Sequence, residues 1–429
     1  MAFLKPKRLL FIYNLCWFLL TPLIPILLIY RILIGKEELS RVKERFGYNS
    51  LNIESKKDKL LWLHAASLGE VVSATSLSIG LREIGFKGTI LITSGTKTSS
   101  FFLKDYKDIL HQYHPLDKKV WVDRFIKFWK PDALIMIESE VWPNLIMRAK
   151  KMSVPVIMAS AQISNKSFKR MTKIGKQSTK FLFDQIDMIF TTDSNQTKKF
   201  KQLGSDKVLT STSLKVSLPP KAPNKVLIQK FEKILKKKTI ILAASTREGE
   251  EDILIKCVNQ LNKDVSNILL IIAPRHIKRA HEISELNRLN IKLKSKGEFP
   301  SIEDNFWISD TYGEMQSLYT LAEIIFVGGS LFPFGGHNPS EACHYNSRII
   351  IGPHTEKCQE IVDQMKSFNA LVQLKSSSLD ELSDTIKKML ISSNFKRDLK
   401  NATSLMTNAW KDERTNVALK IINLVNSSK

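Results

Sequence analysis

The feature that most constrains the fold is an alternation of short apolar strands with helical segments, which occurs twice along the 429-residue chain. Segments such as 71–84 have a helical pattern and separate several of the strands. Strands that alternate with helices predict a parallel sheet covered by helices, so we expect an α/β fold. The predicted strands are 60–65, 89–93, 133–137, 154–160 and 188–192 in the first series, and 239–244, 268–273, 324–327 and 349–351 in the second.

A proline-rich stretch separates the two series. Residues 218–226 contain three prolines among lysines, which interrupts both the strand and the helix pattern. A chain of this length exceeds one ordinary hydrophobic core, so two domains are expected. We predict a first domain at 36–217, a linker at 218–226 and a second domain at 227–429. Ligands are then expected in the cleft between them, at the carboxyl ends of the strands.

The N-terminus carries an apolar run. Residues 9–30 contain no charge and are long enough to cross a bilayer of about 30 Å as a helix. Basic residues rather than a signal-peptidase pattern follow this run, so we predict a membrane anchor at 1–35 with the body of the protein in the cytoplasm. A helix that spans the bilayer and one that lies in its interface both fit this pattern.

Composition limits the classes of partner. The formal net charge is +23 with a pI near 9.7, which calls for nucleic acid, anionic lipid or a phosphorylated substrate unless it reflects a lysine-rich genome. Basic and aromatic residues are not interleaved in one tract, which argues against nucleic acid. Four cysteines without CxxC pairs suit a reducing compartment and argue against zinc. Dinucleotide and P-loop fingerprints are absent from the sequence.

Residues 325–358 combine a strand, two Gly-Gly pairs and a helix start. The glycines allow a close approach of the backbone to a ligand, and Pro339 at a first helical position begins a helix whose free N–H groups face that ligand. Glu341 can accept hydrogen bonds from a ribose diol, so the segment indicates a nucleotide site. The alternative is that the glycines only form tight turns around a buried strand.

This segment, GGSLFPFGGHNPSEA followed by GPHT, resembles the C-terminal signature of the 3-deoxy-D-manno-octulosonic acid (Kdo) transferases of lipopolysaccharide synthesis. Further similar motifs lie in order between about residues 60 and 360. They are HAASLGE, IESEVWPN, SAQISNKSFKR, TSLK, AASTREGEE, IIAPRH and SDTYGEMQSLY.

Glu70 is the first candidate catalytic residue. The strand before it ends at His64, and a helix start keeps a carboxylate ionised near neutral pH, so that it can accept a proton from an attacking hydroxyl. The alternative is a capping box between Ser67 and Glu70. The resemblance implies that Glu70 is the catalytic base.

Two further candidates follow in the first half. Glu138 and Glu140 lie at a strand end and point to the same side, and a solvated strand end is the alternative. The resemblance implies that Glu138 stabilises the transition state and that Lys215 is the catalytic lysine of the TSLK motif, with a solvated lysine as the alternative. Gln162 stands where the family has arginine, which leaves any role of that arginine in doubt.

The second half supplies candidate donor-binding residues. Arg275 follows a strand, where its guanidinium could hold a phosphate, and a helix capped by Asp310 or Thr311 is predicted to begin near Gly313. The resemblance implies that a set of residues from these motifs binds the cytidine nucleotide. The set is Pro274, Arg275, Gly313, Glu314, Met315, Asn338, Pro339, Ser340 and Glu341.

The resemblance as a whole implies two facing Rossmann-like domains of the GT-B glycosyltransferase type. It implies an inverting transfer of Kdo from CMP-Kdo to a lipid A precursor (lipid IVA) at the anionic cytoplasmic face of the inner membrane. No cofactor is expected. No metal is expected either, because cations and helix N-termini can serve the leaving phosphate. The alternatives are a UDP-sugar transferase of the same architecture and a basic nucleic-acid-binding protein held at the membrane.

Overall fold

The computed structural model describes residues 6–51, 59–220, 222–264, 267–345 and 347–427. Residues 1–5 of the predicted anchor and Lys221 of the predicted linker lie outside this range. The chain forms two compact units. The first unit runs to Leu218 and takes up the chain again from Trp410, and the second is Pro219–Ala409.

Helices account for much of both units. In chain order they are α1 (Pro6–Leu20), α2 (Ile24–Leu33), α3 (Leu68–Glu83), α4 (Lys97–Leu103), α5 (Lys119–Trp129), α6 (Pro143–Lys151), α7 (Asn165–Ile174), α8 (Lys176–Phe183), α9 (Ser194–Gln202), α10 (Lys225–Leu235), α11 (Glu250–Asp264), α12 (Ala280–Glu285), α13 (Met315–Leu321), α14 (Ser340–Cys343), α15 (Gln359–Ser367), α16 (Leu379–Ile391) and α17 (Ser393–Ser427).

The strands form one sheet in each unit. They are β1 (Leu60–His64), β2 (Thr89–Ser94), β3 (Ile109–Tyr113), β4 (Ala133–Ile137), β5 (Val156–Ala161), β6 (Met188–Thr191), β7 (Val208–Thr210), β8 (Thr239–Thr246), β9 (Ile268–Pro274), β10 (Phe306–Ile308), β11 (Ile324–Val327), β12 (Arg348–Ile351) and β13 (Val372–Gln373).

The sheet of the first unit has the strand order β3-β2-β1-β4-β5-β6-β7, with every pairing parallel. Its apolar strands are buried on both faces. Leu60 and Trp62 pack into one core cluster, whereas Leu61 and Leu63 pack into another on the opposite face. This alternation along β1 is the two-residue period of a strand.

The second sheet is also parallel, in the order β10-β9-β8-β11-β12-β13. In both units the second and third strands are added on one side of the first strand, and the fourth strand then pairs with the other side of the first. The reversal falls between β1 and β4 in the first unit and between β8 and β11 in the second. Such a reversal opens a crevice at the carboxyl ends of the strands. The predicted α/β class with two parallel sheets is confirmed.

The last helix, α17, belongs to both units. Its residues up to Ala409 pack with the second unit, and those from Trp410 pack with the first. Arg414 is buried in the first unit, where it donates to the carbonyl oxygen of Ser217 and to both carboxylate oxygens of Glu83, at 2.8 and 2.7 Å. These contacts attach the end of the chain to the first unit.

Helices α1 and α2 lie along the surface of the first unit. The Tyr13 hydroxyl donates to Asp117 (2.8 Å), and Thr21 accepts from Lys118 (2.8 Å). Further along, Ile24 and Leu28 are buried against Trp121. Many other large side chains of this segment are exposed, among them Phe11, Phe18, Leu19, Leu23, Ile26 and Leu27. The segment Pro6–Leu33 is long and apolar enough to cross a membrane.

Candidate active site

Glu70 lies at the start of α3, directly after the loop that leaves β1. Ser67 is the N-cap, and its side chain and that of Glu70 form a reciprocal capping box. One carboxylate oxygen, Oε2, accepts from the backbone N–H of Ala66 at 2.6 Å and of Ser67 at 3.4 Å. The capping interpretation is therefore confirmed, and it fixes one carboxylate oxygen of Glu70 at the mouth of the crevice beside β1.

The surroundings of Glu70 change its acidity. The side chain is 7% exposed, and burial, followed by the nearby charges of Glu140 and Glu138, raises its pKa to about 7. The hydrogen bonds from the loop backbone act in the opposite direction and are outweighed. The expectation that the helix start keeps Glu70 ionised near neutral pH is wrong, because a pKa of about 7 leaves the carboxyl group only partly ionised there. A carboxyl group with a pKa near the working pH is suited to accept a proton.

Glu138 follows β4, the strand beside β1. Its backbone has a φ of 58°, a left-handed conformation that is uncommon for a residue with a side chain. One carboxylate oxygen accepts from the Ser73 hydroxyl (3.0 Å) and the other from the Gln162 amide (2.7 Å). Ser73 lies three residues after Glu70 on α3, on the same face of the helix. This serine brings the two candidate carboxylates to the same end of the sheet.

Gln162 and Ser73 are neutral donors to Glu138. The amide of Gln162 occupies a position where the resemblance places an arginine, and it satisfies the same carboxylate without adding a charge. Ser73 was not among the predicted site residues. Its spacing of three from Glu70 on a predicted helix is the sequence signal that could have found it.

Glu140 is the third carboxylate of this cluster. It accepts a hydrogen bond from the indole N–H of Trp142, and its Oε2 lies 4.0 Å from Nε2 of the buried His64. Burial raises the pKa of Glu140, and the charge of Glu138 adds to this effect. Burial, together with His114 and Arg45, lowers the pKa of His64, so this imidazole is neutral.

Lys215 approaches the same loop from a short 3₁₀ segment, Leu214–Ser217. A Cβ atom placed on Gly69 would lie 3.6 Å from the lysine Nζ. Ser160, at the end of β5, holds this segment by accepting from the backbone N–H of Leu214 at 3.0 Å. The structure therefore brings together all three predicted catalytic residues, Glu70, Glu138 and Lys215.

Arg45 is connected to the Glu70 loop by a series of hydrogen bonds. Its guanidinium is buried, pairs with Glu37 and donates to the carbonyl oxygen of Gly95, both at 2.8 Å. The Gly95 N–H in turn donates to the carbonyl oxygen of Ala66 (2.9 Å). Because Ala66 also donates to Glu70, this series of hydrogen bonds connects the segment after the predicted anchor with the candidate base.

In the second unit, Glu250 holds the first Gly-Gly turn. Its fully buried carboxylate accepts from the backbone N–H groups of Gly329 (2.7 Å), Ser330 (2.8 Å) and Leu331 (2.9 Å). Gly328 has no room for a side chain, since a Cβ there would lie 2.6 Å from the backbone of the neighbouring strand β8. Glu250 thus organises the loop, a role that the sequence did not reveal.

A group of cationic and imidazole side chains surrounds that turn. Arg275 follows β9 and is exposed, and Nη1 of Arg247 lies 2.9 Å from Nε2 of His276. Burial and the charges of Arg275, Arg247 and Lys357 lower the pKa of His337 to about 4, so this imidazole is neutral at pH 7. Such a group favours an anionic ligand.

Glu314 and its neighbours lie at the start of α13. Gly313 has a φ of 88°, a conformation that glycine adopts readily. The N-cap of α13 is Glu314, and its carboxylate accepts from Lys294 and from Thr311 (2.8 Å). The prediction that Asp310 or Thr311 caps this helix is wrong, because Asp310 instead accepts from Ser295. Met315 is the first helical residue.

The HNPSE motif forms a turn and the short helix α14. Asn338 accepts from the backbone N–H of Ser340 (2.9 Å). Pro339 is the N-cap rather than the first helical residue, a shift of one position. Glu341 accepts from Gln316 of α13 at 3.5 Å, so the starts of α13 and α14 lie side by side. Pro274 ends β9 and pairs with β8.

Across the described part of the chain, no group of three or more His, Cys, Asp or Glu side chains could hold a metal ion. The predicted lack of a metal requirement stays a prediction.

The sequence comparisons point to one family. A family model described as 3-deoxy-D-manno-octulosonic-acid transferase (kdotransferase) matches residues 40–218. The chain is 33% identical over 395 residues to the 3-deoxy-D-manno-octulosonic acid transferase of Rickettsia bellii (strain RML369-C), covering 91% of this chain and 93% of that one. It is 31% identical over 373 residues to the enzyme of the same name from Haemophilus influenzae, covering 84% and 86%.

A solved structure supports the fold. The crystal structure of a glycosyltransferase from Rickettsia africae has a TM-score of 0.56 and covers 87% of this chain and 100% of that one, at 14% identity. At that identity the likeness concerns the fold alone. It agrees with the predicted glycosyltransferase architecture of two α/β units.

Proposed function

This chain belongs to the 3-deoxy-D-manno-octulosonic acid (Kdo) transferase family and is therefore a glycosyltransferase of lipopolysaccharide biosynthesis, and from this premise we propose its substrates and its chemistry. The donor is CMP-Kdo and the acceptor is the lipid A precursor lipid IVA. The transfer inverts the anomeric carbon and needs no metal ion.

Glu70 acts as the general base in this proposal. It accepts the proton of an acceptor hydroxyl while that oxygen bonds to the anomeric carbon of Kdo. The bond from that carbon to the phosphate oxygen breaks, and CMP leaves with the electron pair. The pKa of about 7 supports this role. A base whose pKa lies near the working pH is ionised in a large fraction of the molecules and still binds the proton strongly enough to remove it.

The observation that carries the proposal is the hydrogen bond between Ser73 and Glu138. It ties the second carboxylate to the helix that bears Glu70, at the crevice between β1 and β4. A carboxylate there can stabilise positive character at the anomeric carbon as the bond to phosphate lengthens. Lys215, close to Gly69, supplies a positive charge near the same loop.

The donor nucleotide is proposed to bind the second unit. Arg275 and Arg247, beside the turn that Glu250 organises, can hold the phosphate, and phosphate favours a bidentate guanidinium contact. Glu341 can accept hydrogen bonds from the ribose hydroxyls. Pro274, Gly313–Met315 and Asn338–Ser340 are proposed to contact the rest of the nucleotide.

The N-terminal helices are proposed to lie in the plane of the cytoplasmic face of the inner membrane. One face of α1 and α2 contacts the first unit at intervals from Tyr13 to Leu28, and a helix held in this way cannot cross the bilayer without losing these contacts. The other face is apolar and exposed, as an interfacial helix requires. Anionic lipid headgroups are the proposed partner of the basic surface, and no nucleic acid is involved.

A direct test uses the purified full-length protein with CMP-Kdo and lipid IVA in detergent. Mass spectrometry of the lipid should show an increase equal to one or more Kdo residues, with release of CMP. EDTA should leave the rate unchanged. Unlabelled CMP should compete with the donor, whereas UDP should not.

The matched variants are Glu70→Gln and Glu138→Gln. Both should bind CMP with wild-type affinity and lose transfer. Competition by UDP instead of CMP, or wild-type turnover by a folded Glu70→Gln protein, would overturn the proposal.

A further inference from the structure

An apolar cavity of about 510 Å³ lies in the first unit between α1 and the body of the unit. Residues of α1 such as Leu9 and Ile12 form one wall, and the opposite wall comes from α7 and α8, including Met171, Ile174 and Leu182. This volume falls in the range of about 300–1,000 Å³ that is typical of ligand pockets. The lining is mainly apolar, and the cavity is large enough for an extended aliphatic chain.

The polar groups at this cavity are engaged elsewhere. The Tyr13 hydroxyl donates to Asp117, and burial raises the pKa of Asp117 to about 7, although hydrogen bonds from the backbone of Asn144 and Leu145 oppose this shift. A ligand in the cavity therefore meets apolar surface, and the gain on binding comes from burying its own apolar area, at roughly 25 cal/mol per Å².

A second, cationic depression of about 540 Å³ adjoins this cavity, and the two share Leu10 and Met147. Four basic residues line it: Lys119, Arg148, Lys150 and Lys151. Arg148 pairs with Asp123 and Lys150 with Asp187, whereas within the described residues Lys119 and Lys151 form no ion pair. An apolar cavity beside unpaired lysines is complementary to a lipid that carries phosphate.

The cavity also lies near the candidate active site. A third wall is formed by Val141 and Trp142, which precede α6, and by Pro143, its first residue. Trp142 donates its indole N–H to Glu140, and Glu138 lies only two residues earlier. A ligand whose chain occupies the cavity therefore has its head near the carboxylates that are proposed to act on an acceptor sugar.

We propose that this cavity holds one fatty acyl chain of the acceptor, with an acceptor phosphate at Lys119 and Lys151. The inference rests on the proposed function and adds a binding site to it. Acyl-chain binding positions the sugar, so the enzyme distinguishes acylated from deacylated acceptors by the acceptor KM. Binding of the acyl chain does not change the KM for CMP-Kdo.

The test narrows the cavity with Ile174→Trp and Met171→Trp in the full-length protein. Ile174 is exposed at the rim, so its replacement should leave the fold intact. The control is Ile391→Trp, which adds the same indole at an exposed position of α16 in the second unit, away from the cavity and from the proposed membrane-binding face. Each protein is assayed with lipid IVA and with its fully deacylated disaccharide bisphosphate.

For the two cavity variants we expect the KM for lipid IVA to rise about tenfold or more, with little change for the deacylated acceptor. The control should match the wild type on both. Equal effects on the two acceptors, or none, would overturn the inference. So would a loss of phospholipid-vesicle binding with unchanged lipid IVA kinetics, since the cavity would then hold a membrane phospholipid. Failure of the wild type to transfer Kdo to either acceptor would instead refute the proposed function.

Discussion

Glu70→Gln should produce two opposite effects, a loss of activity and a gain in stability at high pH. The first follows from the base role, because general-base catalysis contributes about 10²- to 10⁴-fold. The second follows from the raised pKa. Burial and the charges of Glu140 and Glu138 move the pKa of Glu70 from 4.5 to about 7.

The sign of the stability effect is set by proton binding. The folded state holds the Glu70 proton more tightly than the unfolded state, so the favourable contribution is complete below pH 4.5. It is lost as the pH rises through about 7. The difference between the two pKa values is about 2.5 units, which corresponds to about 3 kcal/mol at 1.36 kcal/mol per unit. The glutamine variant has no such titration and avoids the loss.

Urea unfolding followed by tryptophan fluorescence measures this difference. Of the chain's seven tryptophans only Trp307 lies in the second unit, so the signal reports mainly the first. The unfolding free energy of Glu70→Gln minus that of the wild type should increase by about 3 kcal/mol between pH 4.5 and pH 8. The control, Asp206→Asn, removes a carboxylate that is 92% exposed and should show almost no such change.

The activity of the wild type follows the same titration. The rate should rise between pH 6, where roughly a tenth of Glu70 is ionised, and pH 8, where roughly nine tenths is ionised. A Glu70→Gln protein that turns over within tenfold of the wild type would refute the base role. A stability difference that does not depend on pH would refute the role of burial in raising the pKa.

Four further predictions concern other parts of the molecule. Arg275→Ala and Glu341→Ala should each weaken CMP binding by about 1 kcal/mol or more in calorimetry, and unchanged affinity in both would exclude their contact with the nucleotide. Gly328→Ala should lower unfolding stability by about 1–3 kcal/mol, because its Cβ would lie 2.6 Å from backbone atoms, whereas Gly69→Ala has room and should not. In a Cys16→Ser background, cysteines at positions 8 and 36 should react with an impermeant maleimide from the same side of sealed vesicles, and labelling from opposite sides would show that the helix spans the bilayer. Gln162→Arg should lower the pKa of Glu70 through Glu138 and move the rise in activity to lower pH, and an unmoved pH profile would show that the two carboxylates are not coupled.

The strands that are almost wholly apolar could be predicted from the sequence, whereas the short or partly polar strands could not. The apolar runs at β1, β4 and β9 carry their own signal, because parallel strands buried on both faces are almost wholly apolar. By contrast β3 reads ILHQY, with His111 and Gln112 in the middle. Gln112 is buried because its side chain bonds Tyr48 and Trp129, which are long-range contacts that no local pattern predicts. β7, β10 and β13 have only two or three residues each.

The position of the last helix, α17, also depends on contacts between residues that are far apart in the sequence. The sequence did not predict that residues from Trp410 onward pack with the first unit. That packing depends on Arg414, which meets Glu83 and Ser217 far away in the sequence. A close fit at Gly80, where a Cβ would lie 2.8 Å from the Arg414 side chain, completes the contact.

The features of the site that depend on short segments could also be predicted from the sequence, whereas those that depend on long-range contacts could not. Motif order indicated Glu70, Glu138 and Lys215, and the helix start gave the capping box, because these depend on short segments. The acidity of Glu70 could not be read in this way. The dipole of α3 and the loop N–H groups favour the ionised form. Burial and the charges of Glu138 and Glu140, which follow β4, outweigh them.

The neutral Gln162 is consistent with that balance. If an arginine paired with Glu138, its positive charge would offset one of the two charges that raise the pKa of Glu70. The amide instead satisfies the Glu138 oxygen by a hydrogen bond and leaves its charge in place. The departure from the family pattern thus helps to keep the candidate base near the pH at which it can both receive and release a proton.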